Sequence, residues 1–95
     1  MEPKVFDDLD EMEDWAENRP AEVTRHLLEA WEEIIEGNEE IITIISCRPE
    51  GYFEDLNIVV EEHEAEEALE QLLEESVERE DYEAAQRIKE LQSKL

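Results

Sequence analysis

Cys47, His26 and His63 are the side chains of this 95-residue sequence that come closest to a nucleophile, a proton carrier or a metal ligand. Catalysis needs such a group beside a base or a metal at workable spacing. Cys47 ends the run "EIITIISC", where a thiol behaves as a small hydrophobe. His26 stands beside Arg25 in an amphipathic stretch. His63 lies in "EEHEAEE", with Glu66 and Glu67 within one helical turn. Zinc sites normally pair histidines or cysteines at tighter spacing. The glycines are Gly37 and Gly51, so there is no glycine-rich phosphate loop, and no segment has the ligand pattern of a calcium hand. Carboxylates are so frequent that no pair stands out as an acid–base couple. The expectation is a protein that is not an enzyme and uses no cofactor or metal.

Charge sets the next bound. Thirty-one acids against eight bases give a net −23. Such a surface repels nucleic acid and anionic membrane, so direct binding to either is not expected. Three roles remain for the acid: to solvate the surface, to steer a basic protein partner, or to imitate the phosphates of DNA. Its distribution is uneven. Residues 7–17 hold seven acids and no base, and residues 61–83 hold twelve acids and one base, Arg79. Residues 41–60 hold only Glu50, Glu54 and Asp55. A single cysteine leaves no internal disulfide and fits a reducing cytoplasm. The longest apolar run, residues 41–45, is far short of the roughly 20 residues that span a membrane. The N-terminus lacks the pattern of a signal peptide.

The elements that would position any site follow from periodicity. Residues 5–17, "VFDDLDEMEDWAE", read as a short amphipathic helix with Phe6, Leu9, Met12 and Ala16 on one side. It either docks on the domain or stays a mobile acidic arm. Residues 20–36 form a helix, with Pro20 at its first position and Gly37 just past its end. Its stripe of Val23, Leu27, Ala30, Trp31, Ile34 and Ile35 should bury Trp31, and Trp15 less so. Residues 40–47 and 56–61 read as strands. The first is apolar on both faces, which demands cover on both sides or a place inside a sheet. The tip between them, "RPEGYFED", leaves Tyr52 and Phe53 either closing over the core or projecting. Residues 64–78 and 82–94 are two helices with a link at residues 79–81 that is short enough to force an antiparallel hairpin. Asp81 is its N-cap. The fold class is therefore α+β in the order α-α-β-β-α-α. Three parts make up one domain: an acidic segment 1–17, a helix with a β-hairpin over 18–63, and a helical hairpin over 64–95.

Within that hairpin, "LEQLLEESVEREDYEAAQRIKEL" over residues 69–91 resembles the UVR domain, the short helical hairpin of the excision-repair proteins UvrB and UvrC. The family pattern has an apolar first helix, an acidic turn, then Asp-aromatic-Glu-x-Ala-Ala-x-apolar-basic-acidic. Here Asp81, Tyr82, Glu83, Ala84, Ala85, Ile88, Lys89 and Glu90 carry it, and Gln86 stands where the second alanine is usual. The resemblance covers about a third of the chain and implies docking on a protein, often hairpin on hairpin, without catalysis. It implies as partners components of excision repair or of Clp proteases. The contact surface it implies lies around Tyr82, Ala85, Gln86 and Lys89, with Glu78 and Glu83 beside them.

The function expected from these features is a cytoplasmic protein-interaction module of a bacterium or phage. Its hairpin meets a partner, or a second copy of itself in a homodimer, while the acid steers the encounter. The alternative is a DNA mimic that occupies a basic DNA-binding protein.

Overall fold

Residues 2–48 and 54–95 are described by a computed structural model of the chain. Strand β1 (Lys4–Phe6) leads into helices α1 (Leu9–Asn18) and α2 (Pro20–Gly37). Strands β2 (Ile41–Cys47) and β3 (Leu56–Glu61) follow, then a 3₁₀ turn (Glu62–Glu64) and helices α3 (Ala65–Glu78) and α4 (Tyr82–Gln92). The α+β class stands, but the order is β-α-α-β-β-α-α, not α-α-β-β-α-α. The sheet has three strands in the order β1-β2-β3, with β1 parallel to β2 and β3 antiparallel to it.

The missed strand has a local cause. Val5 and Phe6 fit the helical spacing of Leu9 and Met12, so periodicity alone carries the helix through them. Asp8 prevents that. It is extended, and its carboxylate accepts from the Glu11 N–H at 2.8 Å, while Glu11 reaches back to the Asp7 N–H at 3.3 Å. This reciprocal cap starts the helix at Leu9 and frees residues 4–6. They pair with Ile45, Ser46 and Cys47 of β2.

α1 is docked on the domain. Trp15 is buried, its ring 5.5 Å from Phe6 and edge-on to His26 at 5.9 Å. Its indole Nε1–H donates to Glu22 at 3.0 Å, and Lys4 Nζ sits 5.6 Å from its ring centroid. Trp15 is 7% and Trp31 2% exposed, so the expected order holds but the contrast is slight. Phe6, Trp15, Trp31, Ile34, Ile42, Cys47, Leu69 and Ile88 belong to one core.

β2 lies between the other strands, which accounts for its apolar character. A bulge between Thr43 and Ile45 adds Ile44 to the strand. Both Ile44 and Ile45 are thereby buried. The Ile44 carbonyl lies 2.5 Å from His26 Nε2, so α2 supplies a partner at the bulge. Among the described residues, only one face of the sheet is covered. On the other, Val5, Ile41 and Val59 are exposed.

α2 ends differently from the sequence expectation. Gly37 is its last helical residue, and Asn38 takes the left-handed conformation at φ 56°. Asparagine adopts that region more readily than most residues. α4 stops at Gln92, two residues short of the expected end at 94, and Leu95 beyond it is exposed. Tyr52 and Phe53 lie outside the described residues. Among the described residues, no helix is long and apolar enough to cross a membrane.

Candidate functional site

The hairpin is built as its stripes predict. Leu69 and Leu72 of α3 and Ala85, Ile88 and Leu91 of α4 are buried. Asp81 caps α4, its carboxylate accepting from the Ala84 N–H at 3.3 Å. The turn closes as a Schellman motif: the Asp81 N–H donates to Ser76 O at 2.8 Å and the Glu80 N–H to Val77 O at 3.0 Å. That motif needs a left-handed residue, and Glu80 supplies it at φ 57°. Ser76 lies fully buried in α3, its hydroxyl without a hydrogen-bond partner among the described residues.

Cations fasten one side of the hairpin to α2. Arg79 donates to the buried Thr24 hydroxyl, Arg87 pairs with Glu32, and Lys94 pairs with Glu36. The hydrogen bond to Glu36 pushes the Lys94 ammonium up from its ordinary pKa. Solvent screens exposed and half-exposed ion pairs such as these, so together they set orientation more than stability. The side chain of Lys89, the remaining cation of the hairpin, has no hydrogen bond or ion pair among the described residues.

The six residues singled out in the sequence divide accordingly. Tyr82, Gln86 and Lys89 fall at i, i+4 and i+7 along α4 and are all exposed, Tyr82 to 63%. Glu78, the last residue of α3, and Glu83 are exposed as well. Ala85 is buried, so it spaces the helices and is not available for contact. Val77, which the sequence places on the apolar side of α3, is 47% exposed near the same turn. The tip thus carries an aromatic ring and a valine in solvent, flanked by carboxylates.

The reactive side chains are occupied otherwise. Cys47 is buried. Burial, then the carboxylates of Asp8, Asp55, Glu11 and Asp7, push its thiol up and keep it protonated near neutrality. His26 is engaged with the Ile44 carbonyl. His63 lies in the 3₁₀ turn, so it meets Glu61, 3.4 Å away, and Glu64, not the Glu66 and Glu67 of the following helix. His63 and Glu64 are solvent-exposed and Glu61 half-buried. The crevice between α2 and the hairpin, lined by Thr24, Leu28, Ala84 and Arg87, holds about 110 Å³, below the range of small-molecule sites.

No family model, no curated protein and no solved structure matches this chain. The UVR resemblance of residues 69–91 therefore stands on the residues quoted for it.

Proposed function

We propose that this protein is a non-catalytic, cytoplasmic protein-interaction module whose C-terminal helical hairpin docks on a protein partner. The observation that carries the reading is the two-sidedness of the hairpin. Arg79, Arg87 and Lys94 commit one side to α2, while Tyr82, Gln86 and the unpaired Lys89 present the other. An exposed aromatic ring beside polar groups is the composition of an interface centre. Glu78 and Glu83 rim it, and the −23 surface accelerates encounter with a basic partner. The resemblance to UVR hairpins points towards excision-repair or Clp-protease components, or towards a second copy of the same hairpin.

A DNA mimic is the competing reading, and one observation favours it. Trp15 docks α1 on the core, so Asp10, Glu13, Asp14 and Glu17 project from a helix held against the domain. Binding measurements on variants separate the two. Tyr82→Ala or Lys89→Glu should weaken capture of the partner more than reversal of an equal number of exposed acids. If acid reversal dominates and duplex DNA competes for the same partner, the docking reading fails.

A further inference from the structure

β3 ends the sheet, and among the described residues no strand pairs with its outer edge. Folded proteins blunt such edges with charge, proline, bulges or short length. The opposite edge follows this rule: β1 has three residues, begins at Lys4 and is preceded by Pro3. β3 follows it less: it has six residues and carries charge only at the last, Glu61, while residues 56–60 read Leu-Asn-Ile-Val-Val, without charge or proline, and the bulge lies in β2. In a chain with 31 acids, a run of five uncharged residues on an open edge is an anomaly. Leu56 is 47%, Ile58 41% and Val59 38% exposed, so side chains on both faces of the strand are open.

A groove of about 230 Å³ runs beside this strand. Leu27, Trp31, Ala68 and Leu72 form its apolar wall, and the exposed Glu64 and Glu75 stand at its rim. An added strand would place alternate side chains towards that groove and the others towards solvent. Main-chain hydrogen bonds to β3 would hold it, the groove would select apolar residues at every second position, and the acid of Glu64 and Glu75 would favour a basic segment over an acidic one. We infer that the outer edge of β3 is a binding site for an extended basic segment of a partner protein, with apolar residues alternating with lysine or arginine. The charge decides the occupant. A second copy of this chain brings another −23 to the edge, whereas a basic segment meets Glu64 and Glu75. This surface is separate from the Tyr82 face of α4, so either site can fail alone.

The probe is a fluorescein-labelled peptide alternating lysine with valine or isoleucine, followed by anisotropy with the full chain. Three analogues accompany it, one with glutamate for lysine and two with every second backbone nitrogen methylated, one in each register. The lysine peptide should bind, the glutamate peptide should not, and one of the two methylation registers should lose at least about tenfold in affinity because it blocks the ladder. Glu64→Lys with Glu75→Lys should weaken binding by about tenfold at low salt, whereas Tyr82→Ala should not change it. Amide exchange at residues 56–60 should slow in the complex. Binding indifferent to both methylation registers, or protection confined to α4, would mean attraction to acid alone and would overturn the site. So would a peptide-free dimer dispersed by Val59→Lys, since the edge would then belong to a second copy.

Discussion

Replacing Glu80 with glycine should make this protein more stable, although it deletes a side chain and adds no contact. Glu80 closes the α3–α4 turn at φ 57°, where its Cβ crowds the backbone. A non-glycine residue there costs about 1–2 kcal/mol. Glycine avoids that cost but returns about 0.5–1 kcal/mol through its freer unfolded chain. The net gain is about 0.5–1 kcal/mol, or about 2–8 °C in Tm for a domain of this size. Loss of a negative charge from a −23 chain would also stabilise, so the comparison must be with Glu80→Ala, which deletes the same charge and keeps a Cβ. Urea denaturation with unchanged m-values would give the difference. Glu80→Gly falling level with or below Glu80→Ala would refute the left-handed turn, and with it the Schellman closure that orients the hairpin.

Other consequences are simpler to state. Gly37→Ala should raise stability by about 0.5–1 kcal/mol, because Gly37 is helical and a Cβ there meets nothing nearer than Glu39 Cγ at 4.0 Å; denaturant midpoints test it. Cys47 should resist thiol reagents at pH 8 in the folded state and react on unfolding. Its raised pKa means the folded state holds the proton, so this group's contribution is intact below pH 9.0 and fades as pH rises through the folded value. Sodium chloride from about 0.01 to 1 M shortens the screening length from about 30 to 3 Å, so melting temperature should rise as acid–acid repulsion is relieved. A fall would mean that the ion pairs to α2 outweigh that repulsion.

The parts of this fold that were legible are those held by contacts close in sequence. The α3–α4 hairpin follows from two apolar stripes and Asp81, all within about thirty residues. β2 and β3 follow from β-branched composition on either side of an eight-residue connection that contains Pro49 and Gly51. β1 was hidden because three residues carry no usable period and their partner strand lies beyond two helices. The signal that could have found it was the Asp8–Glu11 cap. Leu28 was also missing from the expected stripe of α2, yet it is 1% exposed. α2 packs against the sheet on one side and the hairpin on another, so its apolar surface is broader than one stripe. The αL residue at position 80 gave no warning, since glycine is the usual marker and glutamate stands there. For the candidate surface, the resemblance to UVR hairpins singled out Tyr82, Ala85, Gln86 and Lys89, with Glu78 and Glu83 beside them. Burial removed Ala85, and only the tertiary arrangement showed which lysine or arginine was left over. The open edge of β3 depends on strand order, which periodicity does not encode.

The central claim is that the exposed side of the α3–α4 hairpin, not the acid as such, holds a protein partner. The most direct measurement is the affinity of the purified chain for a partner captured from a bacterial lysate. It should compare Tyr82→Ala with Lys89→Glu against reversal of two exposed acids of α1, Glu13 and Asp14, at low and high salt. The account predicts that the two hairpin changes abolish binding, while the acid reversals chiefly slow association and leave dissociation nearly unchanged. Binding that survives the hairpin changes but is lost on reversal of Glu13 and Asp14, with duplex DNA competing, would contradict it.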